Sequence, residues 1–271
     1  MKLHQPQASI YVPDGRAPEQ ALARVTHLGI GAHPDDLEIM ALHGIVACHG
    51  SGEKSFGGVV CAHGGEAVRE VRRREQEEAA RIGNYGVLVQ LDYSSAELKS
   101  RDVRQLESDL NALFQKMRPQ TVYTHQPADR HETHVAVALA VLNVLRRLPA
   151  ERRPEAVYGG EVWGSLDWLP EAGRVALDVS RGAELSAKLI AAFQSQIGGG
   201  KHYDDAVAGR RQANATFTDP YAPDPARQIC VAMDLTPLVR DPNLDVADYV
   251  SGWMEQFKKD TLARMRRQVR D

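Results

Sequence analysis

Between residues 24 and 147 the chain repeats one pattern four times: a short apolar run, a turn, then a longer run with helical spacing. The short runs, at 24–32, 56–62, 86–91 and 121–124, read as strands. The longer ones, at 37–48, 67–82, 103–117 and 132–147, read as helices. Strands that alternate with helices at this spacing argue for a parallel sheet wrapped on both faces.

The rest of the chain is less regular. Runs at 156–162, 175–179 and 228–235 read as strands, and those at 183–196 and 249–268 as helices. Residues 198–225, rich in Gly, Asp and Pro, read as a mobile loop region, and residues 1–23 as an irregular lead. With 271 residues and 43% apolar content the chain can bury a sizeable core, and no linker or repeat divides it. The expectation is a single domain spanning 1–271. Its fold class is α/β: a Rossmann-like, doubly wound, mostly parallel sheet with helices on both faces.

Charge narrows the partners. A net charge of -3 gives no electrostatic reason to expect nucleic acid. Arg69, Arg72, Arg73, Arg74 and Arg81 cluster, but Glu70, Glu75, Glu77 and Glu78 sit among them, which is the pattern of a helix surface. No run of 18 apolar residues marks a membrane span, and the polar start lacks the apolar core of a signal peptide. Cys48, Cys61 and Cys230 are an odd number without CxxC spacing, which fits a reducing compartment. A cytoplasmic location is expected.

In a doubly wound sheet, ligands sit at the carboxyl ends of the strands. Two such ends carry metal-type residues: Ala32-His33-Pro34-Asp35-Asp36-Leu37-Glu38 and His125-Gln126-Pro127-Ala128-Asp129-Arg130-His131-Glu132-Thr133-His134. His33 and Asp36 are about one helical turn apart, so both can face one point. Asp35 must point differently and could reach a metal-activated water without binding the metal. His131 and His134 are again one turn apart; one can supply a third ligand and the other can stay free as an acid or hydrogen-bond donor. Three protein ligands with an open fourth position is the layout of a catalytic zinc site. Each cluster has a plainer reading: HPDD as a helix N-cap, the histidines as solvated helix residues. Their coincidence at strand ends of one sheet favours the metal.

Residues 32–38, AHPDDLE, resemble the opening signature of the LmbE-like, or PIG-L, deacetylase family, and residues 125–134 resemble its second motif. Between them, Gly64-Gly65-Glu66 and the run Arg72, Glu75, Ala79, Ala80 are similar to the family's intervening pattern. The resemblance implies zinc on His33, Asp36 and His134; a donor set of two His and one Asp could also take Fe, Co, Mn or Ni. It implies that Asp35 is the general base, that His131 is a polarising or acid group near the oxyanion, and that Arg72 contacts substrate. Glu38 and Asp129 would hold ligands and backbone in place, and His125 is assigned the same supporting role. The implied reaction is hydrolysis of the acetamido group of an N-acetylglucosamine-type conjugate, with a small-molecule amino-sugar conjugate as partner. A homo-oligomer is compatible with the resemblance, although no sequence feature marks an interface.

The pattern also departs from the family. Thr133 stands where an Asp usually precedes the last His, and Leu42-His43-Gly44 replaces a run of small residues. His27, His43, His49 and His63 read as structural. Trp163 and Trp168 could stack on a sugar ring, with core packing favoured for both. The rival readings are a thiol-conjugate amidase of the mycothiol or bacillithiol type, a metal-binding member without hydrolase activity, and a nucleotide-binding module. The last rests on Gly29-Ile30-Gly31, but Pro34 stands where that fingerprint needs its third glycine.

Overall fold

The computed structural model describes residues 1–100 and 102–269. Its strands are β1 (Ser9–Tyr11), β2 (His27–Gly31), β3 (Phe56–Ala62), β4 (Val87–Tyr93), β5 (Thr121–His125), β6 (Ala156–Gly160), β7 (Arg174–Asp178) and β8 (Ile229–Asp234). The helices before β5 are α1 (Pro18–Ala23), α2 (Asp36–Met40), α3 (Leu42–Cys48), α4 (Arg69–Ile82), α5 (Ser95–Leu98) and α6 (Arg104–Lys116). Those after it are α7 (Glu132–Arg147), α8 (Ala183–Ala191), α9 (Gln194–Ile197), α10 (Tyr203–Thr216), α11 (Thr236–Arg240) and α12 (Val246–Gln268).

All eight strands form one sheet in the order β1-β4-β3-β2-β5-β6-β8-β7. The block from β4 through β3, β2 and β5 to β6 is parallel throughout. β1 and β8 run antiparallel to their neighbours. The sheet is thus mostly parallel, as its alternating pattern predicts. The period-two alternation of strand side chains sends Val87, Val89 and Leu91 into one apolar cluster and Leu88 into the other. Leu22, Leu110, Val141 and Leu238 from α1, α6, α7 and α11 close the first face, while Leu37, Ile45, Ala80 and Leu189 from α2, α3, α4 and α8 close the second. Among the described residues no helix is long and apolar enough to cross a membrane, and Cys48, Cys61 and Cys230 are buried free thiols.

Four expectations need correction, one being the helix over 183–196, which breaks at Ala192 and Phe193 into α8 and α9. Residues 1–23 are not uniformly irregular: β1 pairs with β4 and α1 starts on Pro18. The short β1 covers what would otherwise be an open sheet edge, and Arg73 holds it by donating to Ser9 Oγ at 2.7 Å and to Gln7 O at 2.8 Å. Residues 198–225 are not a loop throughout, because α10 occupies their middle and buries Arg211 and Ala215. The Gly and Pro residues lie mostly at the ends of that stretch, and averaging over it hid the helix. Residues 37–48 form two helices, not one. Arg211 donates to the carbonyls of Glu38 and Ile39 at 2.8 and 2.9 Å, diverting acceptors that a continuous helix would need.

The glycines of β2 serve close packing. A Cβ at Gly31 would stand 2.9 Å from Asp36 Cβ, so only glycine lets α2 lie this near the strand.

Candidate metal and catalytic site

The topology reverses between β2 and β5: from β2 the chain crosses to β3 and β4 on one side, then returns to β5 on the other. Such a switch point opens a crevice beyond the carboxyl ends of the two strands. The segments after β2 and β5 carry the two residue clusters, and the fold brings them together.

His33 Nδ1 lies 3.3 Å from His134 Nε2 and 3.5 Å from Asp36 Oδ2, and His134 Nε2 lies 3.4 Å from Asp36 Oδ1. Donor atoms bound tetrahedrally to one zinc at about 2.0–2.1 Å stand roughly 3.3–3.4 Å apart, so these spacings, which reach both oxygens of Asp36, are of the size a divalent metal requires. The donor atoms form two overlapping groups that share His134, one with His33 and His131, the other with Asp36 and His125. His125 is the poorer ligand because its Nε2 already accepts the Ala32 N–H at 2.9 Å. Asp36 Oδ2 accepts the His33 N–H at 2.6 Å, which orients the carboxylate and leaves Oδ1 facing His134. Asp36 Oδ2 also stands 3.2 Å from His125 Nε2, so His33, Asp36, His125, His131 and His134 converge on one point, with His134 common to both groups.

The supporting contacts fit the same purpose. His33 Nε2 is 3.3 Å from Ser95 Oγ on α5, and His134 Nδ1 is 3.5 Å from Asp129 Oδ1. Asp129 also accepts the His131 N–H at 2.8 Å and the N–H groups of Trp163 and Gly164 at 3.1 and 3.2 Å. One carboxylate thereby ties the segment after β5 to the one after β6. Burial opposes its ionisation, but His134 and these donors hold its pKa down at about 2. Burial likewise works against the charge of Asp36, yet His134 and His125 hold it well below the usual carboxylate range.

Asp35 differs from its neighbour. It precedes α2 but makes no side-chain cap, so its carboxylate is not committed to the helix start. Its φ of 96° is left-handed, which is uncommon for a residue with a Cβ, and its N–H is held by Gln76 Oε1 at 3.1 Å. Gln76 is in turn fixed by donating to Glu38 Oε1 at 2.8 Å, where the Tyr85 hydroxyl also donates at 2.6 Å. Glu38 thus braces the turn from inside, and burial pushes its pKa up to about 7. Burial, reinforced by the charge of Asp36, raises the pKa of Asp35 well above normal, while nearby Arg72 opposes the rise. Arg72 is anchored by donating to Gly64 O at 2.9 Å.

His131 stands beside the triangle, its ring centroid 4.9 Å from that of His33 and 4.6 Å from that of His134. Burial, then the proximity of His134 and His33, lowers its pKa and favours the neutral imidazole. Its Nδ1 is buried without a hydrogen-bond partner, and so is the Thr133 hydroxyl.

Among the aromatic residues, Trp168 packs partly buried against the core as expected. Trp163 does not. It is 44% exposed, and its ring lies 6.2 Å from that of His131 and 6.5 Å from that of Tyr203. Asp129 fixes its backbone over the site, and this tie had no sequence signal. His43 is packed against Tyr123, its Nδ1 2.8 Å from the hydroxyl. His63 accepts the Gly65 N–H at 3.1 Å, outside the triangle. Gln76, Ser95 and Arg211 were missed by sequence reading. Only Gln76 had a usable signal, one helical turn after Arg72.

Residues 28–145 match the family described as PIG-L, GlcNAc-PI de-N-acetylase. No curated protein sequence matches the chain. Several solved structures share the fold. The conserved protein TT1542 from Thermus thermophilus is 20% identical with a TM-score of 0.60, over 82% of this chain and 99% of that one. GalB, the 4-carboxy-2-hydroxymuconate hydratase from Pseudomonas putida, is 17% identical with a TM-score of 0.62, over 78% and 95%. N,N'-diacetylchitobiose deacetylase from Pyrococcus horikoshii is 17% identical with a TM-score of 0.61, over 83% and 85%. One of these neighbours is a hydratase and another a deacetylase, so the reaction must be argued from the site.

Proposed function

Starting from a PIG-L (LmbE-like) family domain at residues 28–145, we propose that this protein is a metal-dependent hydrolase removing the acetyl group from an N-acetylglucosamine-type conjugate. The observation that carries the reading is the pairing of a metal-shaped triangle, His33, Asp36 and His134, with an uncapped, buried carboxylate at Asp35. Zinc, or another divalent transition metal, would supply a Lewis acid there that polarises the amide carbonyl and acidifies water.

The protein's own groups do the rest. Asp35 takes a proton from the attacking water and hands it to the departing amine, a role that suits a carboxyl whose pKa burial has raised. His131, held by the Asp129 contact to its backbone, donates a hydrogen bond to the developing oxyanion. Arg72 contacts the substrate beside Asp35. Trp163 offers an exposed ring face on which a sugar can stack. The products are acetate and a free amine.

A thiol-conjugate amidase would use the same groups. The unpartnered Thr133 hydroxyl and His131 Nδ1 favour a second reading, in which the protein holds metal but does not hydrolyse. The test is acetate release by metal-loaded protein from N-acetylglucosamine conjugates and thiol conjugates of glucosamine. Release from the first group supports the proposal. Cleavage confined to the thiol conjugates selects the amidase, and bound metal with no cleavage selects the second reading.

A further inference from the structure

Asp35 forms part of the wall of a cavity of ≈ 180 Å³. Ile39, Met40, Val162, Val207 and Val231 contribute much of the remaining lining, and Trp163, the ring proposed above to meet the sugar, borders it too. The Tyr203 phenol also lines it, and four further polar residues there are bonded to protein. Glu161 accepts from the Leu166 N–H at 2.6 Å and from Asn214 Nδ2 at 2.9 Å, and Asn214 Nδ2 also reaches Ile229 O at 3.3 Å. Arg210 donates to Val162 O, and Arg211 to the carbonyls of Glu38 and Ile39. The surface left for an occupant is therefore mostly hydrocarbon. Sugar hydroxyls placed there would lose water without gaining partners.

We propose that this cavity receives the hydrocarbon chain of the scissile acyl group, so that the protein is an N-deacylase preferring chains of about six carbons over acetyl. The size follows from the benzene that a cavity of about 150 Å³ can hold. The assignment rests on the hydrolase reading above. Asp35 must lie close to the carbonyl carbon that water attacks, so the chain on that carbon begins at the cavity's Asp35 wall. Water adds to the carbonyl, the C–N bond breaks, the chain leaves as a carboxylate, and the amine departs with the transferred proton.

The test measures hydrolysis of N-acetyl-, N-butyryl-, N-hexanoyl- and N-octanoylglucosamine by the metal-loaded protein. It also measures, by calorimetry, binding of acetate, butyrate, hexanoate and octanoate. Both series should strengthen by roughly fourfold per methylene up to about six carbons and then level or fall. Ala206→Phe, which adds a ring to the cavity wall, should erase the gain for longer chains and leave acetyl hydrolysis unchanged. Should the variant fail to fold, the wild-type series still decides. Hydrolysis of the acetyl compound without chain-length dependence would overturn the cavity assignment and leave the hydrolase reading standing. Chain-dependent binding without any hydrolysis would uphold the apolar subsite but overturn the deacylase. Selectivity that follows the length of an alkyl group on the sugar, not the acyl chain, would overturn the placement.

Discussion

His33 Nδ1 and His134 Nε2 lie 3.3 Å apart although 101 positions separate them in the chain. The contact exists because β2 and β5 are adjacent parallel strands whose carboxyl ends open onto the same crevice. If the pair holds a metal, His33→Ala and His134→Ala should each lose bound metal after dialysis, measured by elemental analysis, with circular dichroism unchanged. Full retention by either variant would remove that residue from the ligand set.

Asp129 should matter nearly as much without touching the metal. Asp129→Asn puts an amide NH₂ among the N–H groups of His131, Trp163 and Gly164 that the carboxylate now accepts. Metal affinity should fall by roughly 10- to 100-fold, read by competition with a chelating dye.

Arg211 links α10 to the junction of α2 and α3. In Arg211→Met the carbonyls of Glu38 and Ile39 lose their donor, which should destabilise the protein by about 2–4 kcal/mol. Thermal unfolding should show Tm lower by roughly 5–12 °C. An unchanged Tm would mean that these carbonyls find other partners.

His27 gives a pH dependence away from the crevice. Burial, helped by the charge of Lys54, lowers its pKa from 6.5 to about 4 in the folded protein. Between those values the unfolded chain binds a proton that the native state does not. Stability is therefore full above pH 6.5 and declines as pH falls toward 4. The shift sets a ceiling of about 3 kcal/mol on this contribution. Urea unfolding of His27→Gln with chelator present should show a smaller loss over that window than the wild type. Equal losses would assign the acid sensitivity elsewhere.

The parallel core was legible because burial on both faces leaves strands such as β3 and β4 as short, nearly continuous apolar runs, set off by helices of different period. Both ligand-type clusters were legible for a related reason: each is local in sequence and follows a strand. What sequence could not show was long-range. β1 is a three-residue edge strand whose partner lies far along the chain, and Ser-Ile-Tyr is too short for a period-two pattern to stand out. The break between α2 and α3 is made by Arg211, which follows it by more than 170 residues. Trp163 stands at the rim because Asp129 holds its N–H, a contact between separate loops.

The most direct test of the account measures metal content and acyl release together on the wild type and Asp35→Asn. Asp35 makes no helix cap and lies outside the proposed ligand set. The variant should therefore keep one metal per chain while turnover falls by roughly 10²- to 10⁴-fold. An Asp35→Asn protein with full metal and near-normal turnover would contradict the assignment of the base, and a wild-type protein that binds no divalent metal would contradict the site itself.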